Sequence, residues 1–327
     1  MSVDVSVVIC AHDDARWEQL RAALRSLEHQ HHPPDEIVLV IDHNPALLER
    51  AREHLPGPMV IDNREPPGLG GARNSGIDAA SGSIVAFLDD DAVASARWLS
   101  ILVEPYGDSD VAGVGGSVEP VWDTGRPEWF PREFDWVVGC THRGMPQTAA
   151  NVRNLIGCNM SFRRELLISI GCFRPGLTLR TGPASSRGAD PLSTFSCDET
   201  ELCIRLRHRW PSKRLLYVPE ARVFHQVPGD RARLRYFLTR CYLEGGSKAV
   251  VAALVGSTDG LSSERRYVRQ TLPAGVGDAV ARFVRRGDAG ALARAAMIVA
   301  GLTTTTVSYA ARRVSAGSAP PRALLSR

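Results

Sequence analysis

The 327-residue chain is 44% apolar and 23% charged, with a formal net charge of +3. These values suit a globular protein with a core of its own; they exclude a largely disordered chain and give no reason to expect a nucleic-acid partner. The length fits one large α/β domain with an appendage, or two small domains.

Seven cysteines, at 10, 140, 158, 172, 197, 203 and 241, show no C-x-x-C pair and no zinc-ligand spacing. An odd count without a framework reads as a reduced protein with buried thiols. Met1-Ser2-Val3-Asp4 lacks the positive start of a signal peptide. The expectation is a cytoplasmic location, at the inner face of the plasma membrane if the C-terminal part touches lipid.

Residues 5–10 are a continuous, mostly β-branched run, as expected for a strand buried on both faces. Trp17, Leu20, Leu24 and Leu27 recur at helical spacing. Pro33-Pro34 closes that unit, and residues 37–41 predict a second buried strand. Asn44-Pro45 reads as the cap and first residue of a helix reaching Leu55, and residues 59–61 as a short third strand. The stretch from Gly68 to Gly76 opens a helix carrying Arg73. Residues 84–88 predict a fourth strand running into Asp89-Asp90-Asp91, followed by a helix over 97–106 and a strand over 111–114. Alternating strands and helices with short connections mark a mostly parallel sheet covered by helices. Residues 178–196 are small, polar and punctuated by Gly and Pro, which reads as a long loop of the kind used as a lid.

Ligand sites in open α/β sheets lie outside the carboxyl ends of the strands, where Asp89–Asp91 falls. Three adjacent carboxylates in a partly dry cleft repel one another unless a cation or hydrogen bonds offset the charge. Oxygen ligands suit Mg²⁺ or Mn²⁺, with substrate phosphates completing the shell. A helix starting after Asp91 would welcome one acid near its positive end, but three acids fit that explanation poorly. Asp42 ends the second strand; it could accept a nucleobase N–H or cap the helix that begins near Asn44, and Asp13 has the same two readings. The glycines of 68–76 permit a tight turn, and the helix behind them can aim N–H groups at an anion. Cys197-Asp198-Glu199-Thr200-Glu201 opens a second acidic cluster. Transfer to a hydroxyl needs a general base, with Glu199 the first candidate and Asp198 the second. His225, in Arg222-Val223-Phe224-His225, could add a metal or diphosphate contact.

These stretches, with Gly157-Cys158-Asn159-Met160-Ser161-Phe162 between them, occur in an order and spacing over residues 3–226 that resembles the inverting glycosyltransferase family 2. The resemblance implies a metal-dependent GT-A fold, a single Rossmann-like domain with a mostly parallel central sheet, and a nucleotide diphosphate sugar as donor. It implies that Asp42 reads the base, Arg73 supports nucleotide binding, Asp89 contacts the ribose or positions that loop, and Asn159 lines the donor-sugar and acceptor region. Asp91 and His225 would hold Mn²⁺ or Mg²⁺ against the diphosphate, and Glu199 or Asp198 would be the base. Two stretches depart from the family pattern. The first strand ends in Cys10-Ala11-His12-Asp13 in place of a Pro-Thr-aromatic-Asn sequence, and Glu199 stands where Asp is more frequent. No Q-x-x-R-W element of the processive synthases is present. A nucleotidyltransferase would place a glycine-rich, basic loop after the first strand, where residues 11–16 offer only Arg16; a non-catalytic nucleotide-sugar-binding protein would have lost acids that are intact here.

From Arg231 the pattern is amphipathic helix, with Leu234, Phe237, Leu238, Cys241 and Tyr242 on one face. Residues 295–311 carry no charge and are bracketed by Arg294 and Arg312-Arg313, short for a membrane span and better suited to an interfacial helix beside a lipid-linked acceptor. The expected organisation is a catalytic domain over 1–228, with a nucleotide half to about 118 and an acceptor half from about 119. A helical extension over 229–314 follows, and a disordered tail over 315–327.

Overall fold

The computed structural model describes residues 4–174, 197–256 and 262–315, so the expected loop at 178–196 and the tail beyond 315 lie outside the described residues. The described residues fall into two compact units, one of 4–119, 146–174 and 198–225 and the other of 120–145, 197, 226–256 and 262–315. Residues 120–145, read above as the start of the acceptor half, therefore cluster with the C-terminal helices.

The first unit is α/β. Its strands are β1 (Val5–Ala11), β2 (Glu36–Ile41), β3 (Met59–Asp62), β4 (Ile84–Asp89), β5 (Ala92–Ala94), β6 (Val111–Trp122), β7 (Ala150–Asn151), β8 (Asn159–Arg163) and β9 (Arg214–Val227). They form one sheet in the order β3-β2-β1-β4-β8-β6-β9-β5, with β7 beside β9. The first four in that order run parallel, and β8 then lies antiparallel to β4. Strand β1 sits between β2 and β4, and Val5, Val7, Val8 and Ile9 are buried, which explains its unbroken apolar character.

Helices α1 (Trp17–Glu28), α2 (Pro45–His54), α3 (Leu69–Ala79), α4 (Trp98–Val103), α5 (Arg164–Ser169) and α6 (Asp198–Arg209) belong to this unit. Asn44 caps α2 by accepting from Leu47 N at 3.1 Å, with Pro45 in the first turn as read from the sequence. Helix α4 is shorter than the expected 97–106, because Pro105 falls in a 3-10 turn over Glu104–Gly107. Helix α3 begins after Gly68, whose φ of +126° favours glycine. A Cβ at Gly76 would stand 2.4 Å from Val8 Cγ1, so that glycine lets α3 lie directly on β1.

The second unit is helical: α7 (Leu234–Val255), α8 (Ser262–Arg266), a π-helical turn at Tyr267–Thr271, α9 (Leu272–Arg286) and α10 (Ala289–Ser315). Its centre is aromatic, with Phe237 of α7 edge-on to Phe130 at 5.3 Å and tilted against Phe134 at the same distance. Arg126 holds the buried Asp135 through two bonds of 2.8 and 2.7 Å. Small residues bring α10 close to its neighbours: a Cβ at Gly245 would meet Thr305 O at 2.2 Å, and one at Gly301 would meet the Phe134 ring at 2.5 Å.

Candidate active site

Strand β4 delivers Asp89, Asp90 and Asp91 to the carboxyl end of the parallel strands, where the sequence placed them. The chain then enters β5, and no helix begins until Trp98. The acids are therefore not sitting at a helix N-terminus. Strand β5 pairs antiparallel with β9 and sets Ala92 opposite His225. That register brings His225 Nε2 within 3.2 Å of Asp91 Oδ1. Asp89, Asp91 and His225 each offer a ligand atom, all within 4.8 Å of one another. Asp89, expected to contact the ribose or position that loop, thus lies beside the two residues expected to hold the metal.

Burial and then like charge set the behaviour of these acids. Burial raises the Asp89 pKa above the usual carboxylate range; Arg73 works against it and Asp91 adds to it. For Asp90 burial, followed by the charge of Asp91, pushes the pKa up to about 7. Arg16, from the 3-10 turn after β1, reaches Asp90 Oδ1 and Asp91 Oδ2, both at 3.0 Å. The second oxygen of Asp90 is buried with no hydrogen-bond partner among the described residues. Two crowded carboxylates and an imidazole are a donor set a divalent cation fits, and its charge would offset both the burial and the repulsion.

Helix α3 contributes Arg73, 2% exposed. Its guanidinium donates to Asp198 Oδ2 at 3.0 Å and to Gly157 O at 3.0 Å, and stands 3.7 Å from Asp89. Although burial lowers its pKa, the charges of Asp198, Asp89 and Glu199 carry it above the ordinary value. Arg73 was expected to support nucleotide binding. Its side chain is 3% exposed and both terminal nitrogens are held by the protein, so it lies beneath the carboxylates.

Asp198 and Glu199 open α6 and differ sharply. Asp198 is buried against Arg73. Glu199 is half-buried, and burial, followed by the neighbouring Asp198 charge, raises its pKa well above the usual glutamate value. Glu201, on the opposite side of the turn, is buried and tied to Arg205 at 2.9 Å and Arg174 at 3.0 Å. It anchors the helix.

Asp42 accepts from Asn63 Nδ2 at 2.6 Å and from Gly68 N at 2.9 Å. It does not cap α2, which Asn44 does; Asp13 caps its own turn through Ala15 N at 3.0 Å. Asn63 was missed in the sequence. It follows β3 as Asp42 follows β2, and the parallel register pairing Ile41 with Asp62 makes the two neighbours, a signal available once the strand pairing is assumed. Asn159 does not line a ligand region as expected. Its side chain is wholly buried, accepting from Trp98 Nε1 at 2.8 Å and donating to Ser117 O at 2.9 Å and Ala221 O at 2.8 Å. It fastens β8 to β6 and β9. Arg16, with its partners more than 70 residues away, left no local sequence signal.

Residues 6–171 match the family described as glycosyl transferase family 2. The chain is 32% identical over 254 residues to a glucosyl-dolichyl phosphate glucuronosyltransferase of Haloferax volcanii, covering 76% of this chain and 78% of that protein. It is 26% identical over 252 residues to the succinoglycan biosynthesis protein ExoM of Rhizobium meliloti, covering 75% and 74%. Among solved structures it is similar to the mannosyltransferase PcManGT of Pyrobaculum calidifontis, with a TM-score of 0.53 at 16% identity over 99% of this chain and 80% of that one. It is also similar to GalNAc-T7, with a TM-score of 0.51 at 18% identity over 81% of this chain; it spans 53% of that longer one. The structural likenesses show the GT-A fold. The family match and the identity to the Haloferax protein together show that this chain belongs to glycosyltransferase family 2 and is a glycosyltransferase.

Proposed function

We propose that the chain moves one sugar from a nucleoside-diphosphate sugar to a hydroxyl acceptor, with inversion at the anomeric carbon. The observation that carries this reading is Arg73, which ties the strand-end acids to the first turn of α6 in one buried arrangement. Sugar transfer needs both parts within reach of one substrate: a place for the diphosphate and a base for the acceptor.

Glu199 is the base. It takes the proton of the acceptor hydroxyl while that oxygen bonds to the anomeric carbon. The bond from this carbon to the diphosphate oxygen breaks, and its electron pair leaves with the nucleoside diphosphate. A carboxylate of raised pKa accepts a proton more readily, which suits Glu199 better than Asp198, whose charge is spent on Arg73. Asp89, Asp91 and His225 would hold Mn²⁺ or Mg²⁺. When bound, the ion supplies charge compensation for the departing diphosphate. Asp42 fixes the turn at Gly68 and reads the base.

The comparisons support the donor and the metal by analogy: GalNAc-T7 was solved with UDP, GalNAc and Mn²⁺, and PcManGT with GDP-Man and Mn²⁺. The name of the Haloferax relative describes a dolichyl-phosphate-linked acceptor, which supports a lipid-linked acceptor here and a membrane contact through the C-terminal helices. By length and composition, residues Ala289–Val314 make a helix long and apolar enough to cross a membrane.

The test is a panel of UDP-, GDP- and dTDP-sugars with Mn²⁺ or Mg²⁺, read by thermal shift and by release of nucleoside diphosphate. One donor should stabilise the protein only with metal, through mass action on the folded state. Asp91→Ala should remove both the stabilisation and the release; a variant that keeps both would overturn the metal assignment.

A further inference from the structure

We propose that the outward face of α9 and α10 docks flat on an anionic lipid bilayer. This rests on the lipid-linked acceptor proposed above, and it identifies the surface and the headgroup charge that acceptor would require.

Helix α10 has two unlike sides. Ala291, Ala295, Ile298 and Ser308 are buried within the helical unit, so one side is committed along most of its length. The opposite side is solvent-facing, yet between Arg294 and Arg312 it carries no charged residue. Leu292, Val299, Val307 and Val314 stand on it 45, 55, 57 and 83% exposed, at spacings of seven and eight residues that keep them on one stripe. A helix face meant for water at that length would carry Lys, Glu or Asp. Helix α9 adds Val280 and Val284, 42 and 75% exposed. Exposed apolar stripes on two successive helices form a patch of the kind that marks an interaction surface.

Charge selects the occupant. From Leu272 to Ser315 there are six arginines, two aspartates and no glutamate or lysine. Both aspartates are spent within the unit, Asp278 on Arg143 at 2.5 Å and Asp288 on Arg294 at 3.0 Å. Arg282, Arg285 and Arg286 flank Val284 along α9, and Arg312 and Arg313 close α10. A second copy would bring the same positive charge against this face. An anionic bilayer offers hydrocarbon for the valines and phosphate for the guanidinium groups, whose stems can lie along the apolar boundary. The committed side of α10 explains why the helix lies on the surface rather than crossing it: crossing would strip Ala291, Ile298 and Ser308 from their packing.

The test is flotation of the full chain with vesicles of phosphatidylcholine alone and of phosphatidylcholine mixed with phosphatidylglycerol, at low and high salt. The chain should float with the anionic vesicles, about tenfold more than with neutral ones, and the difference should collapse at high salt. The double variant Val284→Glu/Val299→Glu should reduce flotation at least about tenfold. Arg285→Glu/Arg313→Glu, at the borders of the apolar stripe beside Val284 and Val314, should remove the preference for anionic lipid. All four positions lie on solvent-facing helix surfaces, and circular dichroism on each variant checks that the fold is retained. Absence of flotation, or flotation indifferent to both double variants, would overturn the proposal. So would a dimer in sedimentation that Val299→Glu splits while vesicles go unbound, since the face would then belong to a second copy. Nucleoside-diphosphate release from the donor without vesicles, measured on the same preparations, reports the transferase reading separately, so the two can fail independently.

Discussion

Asp89, Asp90 and Asp91 are neighbours in sequence but meet three environments. Asp91 faces His225 across the β5–β9 pair, Asp89 looks toward Arg73, and Asp90 turns inward to Arg16 with one oxygen unpartnered among the described residues. The sequence located the triplet at a strand end; it could not divide the roles, because each depends on a partner far along the chain. Asp90 gives a pH prediction. Its pKa is about 7 in the folded chain, against about 4 for an unfolded aspartate. The folded state therefore holds a proton the unfolded state releases, and that stabilisation, complete at low pH, is lost as pH rises through about 7. In metal-free protein at about pH 8, Asp90→Asn should raise the melting temperature by about 2–4 °C. The gain should shrink toward about pH 4. Calorimetry across that range checks it, and a lower melting point for the variant at the alkaline end would contradict it.

Helices and strands were legible where a pattern had length. The apolar runs of β1, β2 and β4 and the periodicity of α1 follow from burial on two faces and on one face, respectively. Strand β5 was not legible: Ala92-Val93-Ala94 is too short to distinguish from the start of a helix, and only pairing with β9 makes it a strand. Asn159 shows the same limit. Its position in a motif suggested a ligand contact, whereas its three bonds fasten strands. Asn159→Ala should therefore cost about 2–4 kcal/mol in denaturant unfolding, by leaving two buried carbonyls and an indole N–H unpaired. Donor affinity of the folded fraction should stay unchanged. A variant of normal stability with weakened donor binding would restore the ligand role.

On the scale of the whole chain, the order of motifs announced the α/β unit and its family. The grouping of 120–145 with the C-terminal helices was hidden, because it depends on aromatic contacts such as Phe130 and Phe134 on Phe237, over 100 residues apart in sequence. All seven cysteines lie among the described residues; five are buried, Cys10 and Cys172 are half-buried, and none is paired with another. Burial, the largest influence on each, pushes Cys203 and Cys241 up to about 12. Thermal unfolding should be the same with and without reductant, and intact mass should show no cross-link; a midpoint that falls on reduction would contradict this.

The claim that one buried arrangement joins a diphosphate site to a general base is tested most directly by comparing Glu199→Gln with Asp198→Asn. Single-turnover transfer and donor affinity would be measured on both across pH. Wild-type transfer should rise with pH through the raised pKa of Glu199. Glu199→Gln should lose about 10²–10⁴ in rate with donor affinity retained, and lose that acid limb as well. Asp198→Asn should keep the limb and lose less rate. A Glu199→Gln enzyme that turns over normally beside a dead Asp198→Asn would contradict the account.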